Sequence, residues 1–134
     1  MKKLVSLLFL TAVLLTLGGC RFIRIEEEGR TPVEYEMVEP GKLPEEAASL
    51  VEEKKQKEFQ MTYQSKEELY LIRGYGKQMS GGYSIRVKEL SASKNAVFFE
   101  TELMGPSREE QSGEPSYPYI AVKIRYRDDP VQFI

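Results

Sequence analysis

The side chains that could perform chemistry in this 134-residue chain are few in type. The sequence has no histidine, one cysteine at position 20, and 21 aspartate and glutamate residues. It therefore lacks the usual base for a serine or cysteine nucleophile and the usual ligands for zinc, and its acids lack the spacing of a calcium loop. Carboxylate-pair hydrolysis remains open, although acids in a chain with 30% charged residues are nearly always solvated. We expect a noncatalytic protein with no metal and no other cofactor.

The first 20 residues predict export and lipidation. Lys2-Lys3 precede an uncharged apolar run over residues 4–17, which is the order of an export signal. The run has about fourteen residues, fewer than the roughly 20 that cross a membrane. The segment Leu17-Gly18-Gly19-Cys20 resembles the bacterial lipobox, in which small residues precede a cysteine that receives diacylglycerol before cleavage. We expect removal of residues 1–19; the alternative is an ordinary signal peptide with an accidental cysteine.

Lipidation would make Cys20 a membrane anchor rather than a catalyst. Each buried methylene adds about 0.8 kcal/mol of membrane affinity, so two acyl chains suffice for durable attachment. The expected location is the extracytoplasmic face of a cell membrane. Of the 134 residues, removal of the first 19 leaves 115, with 17 basic and 21 acidic side chains. This balance gives no field of a single sign, so we expect no nucleic-acid partner.

The mature chain has room for a tether and one small domain. Residues 20–32 are charged and lack periodicity, which predicts a lipidated flexible tether. The domain then spans residues 33–134. Alternating apolar and acidic residues over 33–38 predict a strand. Residues 43–57 predict a helix, because Pro44 and two acids lie in the first turn and lysines lie in the last. Its narrow apolar stripe indicates a helix that lies on a sheet.

Strand chemistry dominates the rest of the chain. Two hairpins are predicted, each from a pair of segments rich in aromatic or branched residues. These segments are residues 59–63 with 69–75, and residues 83–88 with 97–103. A long polar loop over 105–116 precedes a strand at 119–124 and a short end at 131–133. The predicted fold is a small single α+β domain, mostly antiparallel β, with six or seven strands and one N-terminal helix.

The most distinctive segment outside the signal runs over residues 74–85. A strand ends in glycine, a loop crosses, and Ser80-Gly81-Gly82-Tyr83 opens the next strand. With Pro106 and Tyr117-Pro118, this arrangement resembles the C-terminal domain of the PrcB family, over roughly residues 35–133. The family pattern is Thr-Gly-Gly-Tyr, later followed by a Tyr-Pro pair before an apolar strand; Ser80 replaces the threonine and keeps its hydroxyl. The resemblance implies a noncatalytic lipoprotein subunit that associates with and stabilises a surface protease.

The residues themselves leave two interpretations of this motif. Paired glycines let another backbone approach closely, and tyrosine rings lose little rotamer entropy when bound. The hypothesis is therefore a partner-binding site at Ser80, Gly81, Gly82, Tyr83, Tyr117 and Pro118, for an exported protease or another envelope protein. Alternatively, the glycines form a bulge or tight turn and Tyr83 fills the core. Two other functions remain open: a structural envelope lipoprotein that binds wall polymer, and a small carboxylate-based hydrolase.

Overall fold

The computed structural model describes residues 25–134. The expected signal peptide, Cys20 and the first residues of the expected tether lie outside this range. Within residues 25–134, no helix is both long enough and apolar enough to span a membrane.

The described residues form eight strands and one α-helix. In chain order these are β1 (Thr31–Pro32), β2 (Glu36–Met37), α1 (Glu45–Lys54), β3 (Glu58–Ser65), β4 (Glu68–Tyr75), β5 (Ser84–Ala92), β6 (Val97–Met104), β7 (Tyr119–Arg125) and β8 (Val131–Phe133). The strands form two sheets, in the orders β1-β5-β6-β8 and β2-β7-β4-β3. Every pairing is antiparallel except that of β6 with β8. The predicted strand-rich α+β fold and both predicted hairpins are confirmed.

Two apolar layers hold these elements together. The first lies between the sheets, where Leu71 and Val122 of one sheet meet Phe99 of the other, all fully buried. The second lies between the β2-β7-β4-β3 sheet and α1, where Ala47 and Val51 are buried with Ile72. Burial of a side chain of this size contributes about 1.5–3 kcal/mol. The helix lies on a sheet, as its narrow apolar stripe predicted.

Of the strand predicted over residues 33–38, only Glu36–Met37 (β2) is strand, and β1 lies just before the predicted segment, at Thr31–Pro32. β1 pairs with β5 in one sheet, and β2 pairs with β7 in the other. The chain therefore crosses from one sheet to the other between Pro32 and Glu36, and β1, which was not predicted, raises the strand count to eight. The helix is also shorter than the predicted 43–57, because Pro44 is its N-cap residue and Lys55 its C-cap residue.

Residues 26–32, which the sequence assigned to a flexible tether, contact the domain. The Glu26 amide donates to Asn95 Oδ1 at 2.9 Å, and Arg30 pairs with Glu89 at 3.0 Å. The Arg30 guanidinium also lies 3.8 Å from the centre of the Phe98 ring. Phe98 needs such a cover because it is next to the core residue Phe99 on a strand and points to the opposite face. This N-terminal segment therefore covers the outer face of the β5–β6 hairpin near its turn.

Candidate functional site

Two loops meet at the end of the domain where β4 and β6 finish. The first loop is residues 76–82, and the second is residues 105–118; together we call them the loop platform. An antiparallel bridge joins them, since the Gln78 amide donates to the Ser116 carbonyl at 2.8 Å and the Ser116 amide donates back at 2.9 Å. The two loops, which carry the residues of the predicted partner-binding site, therefore form one surface.

Three serines hold the loops together and are called here the serine clasp: Ser80, Ser112 and Ser116. The Ser116 hydroxyl donates to the Ser80 carbonyl at 2.6 Å, and the Ser112 amide donates to Ser80 Oγ at 3.2 Å. The Gly81 amide donates to Ser112 Oγ at 2.9 Å. Short polar side chains that bond to backbone groups order a loop without regular secondary structure. The clasp therefore fixes the path of the glycine pair.

The packing of the two loops explains why glycine occupies positions 81 and 82. Gly82 has a φ of +84°, and a Cβ there would lie 2.8 Å from Pro106 Cβ and 3.0 Å from the Glu110 carbonyl oxygen. A Cβ on Gly81 would lie 2.9 Å from Ser112 Oγ. L-residues rarely adopt such a positive φ, and glycine permits the close approach. The neighbour that approaches the glycines is thus the second loop of the same chain.

The predicted aromatic residues flank the platform. Tyr83 is half-buried, and with Pro118 and Tyr119 it lines a groove of about 340 Å³. The Pro118 carbonyl accepts a hydrogen bond from the Tyr75 amide at 3.0 Å. These contacts attach the second loop to β4 and leave Tyr83 at the platform's margin.

Tyr117 connects the platform to the end of α1. The Lys55 ammonium lies 5.0 Å from the centre of the Tyr117 ring, within the range of a cation–π contact. The hydrogen bond that the Lys55 ammonium donates to Glu52 raises the pKa of Lys55, so its charge is retained at neutral pH. Burial likewise raises the pKa of the neighbouring Tyr119 phenol. The aromatic part of the site therefore places a lysine cation beside the Tyr117 ring.

The most exposed large apolar side chain of the described residues belongs to the first loop. Met79 is 74% exposed, although the residues around it are fixed by the bridge and the clasp. Exposed carboxylates of Glu109, Glu110 and Glu114 lie on the second loop. An exposed, adaptable thioether beside polar backbone groups is suited to contact with another protein surface.

Residues 25–134 contain no group of three or more acidic or cysteine side chains that could hold a metal ion. Larger hollows lie away from the platform. One, of about 810 Å³, is lined by residues such as Glu34, Glu67 and Lys123. Another, of about 910 Å³, lies between β3 and β8. The groove beside Tyr83 is smaller than either of these hollows, which favours surface contact over enclosure of a small molecule.

The described residues thus form a strand-rich α+β domain with two clasped loops at one end. Residues 69–125 match the family model described as PrcB C-terminal. This match confirms the resemblance to the PrcB family, over a shorter stretch than the expected 35–133, and it includes both loops of the platform. No curated protein and no solved structure matched the chain significantly.

The structure brings the six predicted site residues to one end of the domain. Ser80 belongs to the clasp, and Gly81 and Gly82 pack against the second loop. Tyr83 and Pro118 line the same groove, and Tyr117 contacts Lys55 at the end of α1. Sequence reasoning missed the clasp residues Ser112 and Ser116. Their only signal was a hydroxyl in a polar loop, and hydropathy does not report which backbone group such a hydroxyl reaches.

Proposed function

We propose that this protein is a noncatalytic, membrane-anchored lipoprotein whose loop platform binds an exported protease and stabilises or modulates it. The family match suggests a subunit associated with a protease complex, and with it a noncatalytic role. The observation that carries the choice of surface is Met79, which is 74% exposed on a loop that the serine clasp holds in place.

A fixed loop is a better binding surface than a mobile one. Ordering an interface costs about 0.5–1.5 kcal/mol for each rotamer-rich side chain that is immobilised, and a loop that is already ordered avoids the backbone part of this cost. The Gln78–Ser116 bridge and the clasp order the backbone on both sides of Met79. A partner therefore has to immobilise only the methionine side chain.

The partner contact is tested by site-specific photocrosslinking in the native envelope. A photoreactive residue in place of Met79 is expected to form an adduct with a protein whose mass and peptides identify a protease. The same residue in place of Lys94 is the control, because Lys94 is exposed in the β5–β6 turn at the other end of β5. Equal adducts at both positions, or none at position 79, would contradict the proposal.

The anchor is proposed from the lipobox and is tested separately. Cys20→Ala is expected to leave the precursor uncut or to shed the protein from the membrane, because no acyl chains can then be attached. Detergent partitioning measures the change. Recovery of the wild-type protein in the aqueous phase, without an acyl label, would contradict the assignment. A failed anchor would leave the platform proposal intact, since the two rest on different residues.

A further inference from the structure

Strand β3 is the long free edge of the β2-β7-β4-β3 sheet. It pairs with β4 over all eight of its residues, from Glu58 to Ser65, with no register shift. Among the described residues, no strand pairs with its other side. Helix α1 packs on the face of this sheet through Ala47 and Val51, so it leaves the edge open.

The register shows which backbone groups face outward. The Tyr75 amide donates to Pro118, on the β7 side of β4. Successive residues of a strand direct their backbone N–H and C=O groups to opposite sides of the strand. Counted back from Tyr75, every second residue of β4 therefore directs these groups toward β7, and the residues between them direct theirs toward β3. Gln60, Thr62 and Gln64 lie opposite β4 residues whose backbone groups face β7. Their own N–H and C=O groups therefore point away from β4. Their side chains are exposed as well.

After its first residue, Glu58, β3 lacks the features that normally protect an edge. Charged side chains, proline and bulges prevent unwanted pairing at sheet edges. Residues 59–65 contain no charge and no proline. The other long free edge of the described fold is the part of β5 that does not pair with β1. This edge has two protective features: a bulge between Val87 and Glu89, and the exposed cations Arg86 and Lys88. The β5 edge is therefore protected against pairing with another strand, whereas the β3 edge is not.

We propose that two copies of this chain dimerise by antiparallel pairing of β3 with β3 about a twofold axis. If nearly all residues of the two β3 strands pair with each other, two registers are possible, with either Met61 or Thr62 at the twofold axis. The register with Thr62 at the axis places Gln60 opposite Gln64 of the second copy. It also brings Glu58 next to Lys66 of the second copy, twice by symmetry. This charge complementarity selects Thr62 as the axis and a second copy as the partner.

In the dimer, the β2-β7-β4-β3 sheets of the two copies join into one continuous sheet of eight strands. The outward N–H and C=O groups of three residues per copy gain partners, which removes the exposed row that makes an edge prone to aggregation. This inference does not rest on the proposed function, because β3 is not part of the loop platform.

Disulfide trapping tests the register in the full-length protein in its native envelope. Thr62→Cys is expected to give a dimer on mild oxidation, since residues paired at the axis have Cα atoms about 5.5 Å apart, within disulfide range. Gln60→Cys is the matched control, because its opposite residue is Gln64. We expect at least about tenfold more dimer from Thr62→Cys. The wild-type protein, oxidised in the same way, is the control for any disulfide formed through Cys20.

Charge exchange gives a second test that leaves the strand intact. Glu58→Lys is expected to raise the dimer's dissociation constant about tenfold, since two pairs become repulsive. Adding Lys66→Glu should restore it. Sedimentation of the detergent-solubilised protein measures both. Equal crosslinking at positions 60 and 62, capture of a different protein by Thr62→Cys without self-dimer, or no rescue by the double exchange would each overturn the proposal.

Discussion

The hydroxyl groups of Tyr75 and Thr101 form a hydrogen bond 2.5 Å long between the two sheets. Tyr75 ends β4 and Thr101 lies in β6, so the bond crosses the sandwich at the end that carries the loop platform. The Tyr75 amide also donates to the Pro118 carbonyl in the second loop. A single residue therefore links the two sheets to each other and the platform to both.

Removal of the Tyr75 hydroxyl should destabilise the domain. Tyr75→Phe leaves the buried Thr101 hydroxyl without this partner, and we expect a loss of about 1–2 kcal/mol in the free energy of unfolding. Thr101→Val should cost a similar amount. The double variant should cost less than the sum, because both polar groups of the pair are then absent. Denaturant unfolding of the three variants measures the coupling, and strict additivity would show that the bond contributes nothing.

A side chain at Gly82 should disturb the platform. Gly82→Ala combines a positive φ with a Cβ only 2.8 Å from Pro106, and we expect a loss of about 2 kcal/mol or more. Gly113→Ala isolates the backbone term, since its φ is +73° and nothing lies within 4 Å of the added Cβ. Gly41→Ala has neither feature and should be neutral. Thermal unfolding should rank the three in that order; equal losses at positions 82 and 113 would mean that the loop contact is unimportant.

Loss of one clasp hydroxyl should loosen the first loop without unfolding the domain. Ser116→Ala removes the donor to the Ser80 carbonyl, and the Gln78 and Ser116 amides should then exchange faster with solvent. Ser107→Ala, in the same loop but exposed, is the control. Hydrogen exchange measures the change. We also expect weaker capture of the partner, because an unordered loop must be ordered on binding. Unchanged exchange at both amides would contradict the role of the clasp.

Stability should fall in alkali. Burial raises the pKa of Tyr119 and of Tyr70, and a hydrogen bond to Glu46 raises that of Tyr63. In the unfolded chain these phenols ionise near pH 10, before they do so in the fold. Their contribution is therefore complete below about pH 10 and is lost as the pH rises through the higher folded values.

Tyr119→Phe should make this decline shallower, because the variant lacks a phenol whose pKa is raised by burial. Urea unfolding of the wild type and the variant at a series of pH values from 8 to 11 measures the difference. A stability that is independent of pH over this range would contradict the assignment.

Local patterns predicted most of the strands. Both hairpins follow from alternation of apolar and polar residues, which reports the face on which a side chain lies. Alternation does not report which sheet a strand joins, so residues 33–38 looked like one strand although they cross between two sheets. Similarly, the parallel pairing of β8 with β6 depends on a contact between segments that are far apart in sequence.

The candidate site was predictable in part for the same reason. The glycine pair and Tyr83 stood out by residue type, and the family resemblance rested on them. Their neighbours Ser112 and Ser116 did not, because the clasp is made of hydrogen bonds between two loops that the whole β5–β6 hairpin separates in the sequence. The tether was predicted from charge and lack of periodicity, and these properties could not show that Arg30 would cover the Phe98 ring.

For a chain anchored at Cys20, the contact of Glu26 with Asn95 would set the distance between the membrane and the platform. With Cys20 acylated, as we propose, six backbone steps separate the lipid from Glu26, a leash of at most about 20 Å. Asn95 lies in the turn at one end of the β5–β6 hairpin, and Gly82 and Gly105 lie just beyond the other end. Nine extended residues span about 30 Å. An anchor at Cys20 would therefore keep the bilayer near the turn, and the platform would face outward, where a partner that is not itself embedded in the membrane can reach it.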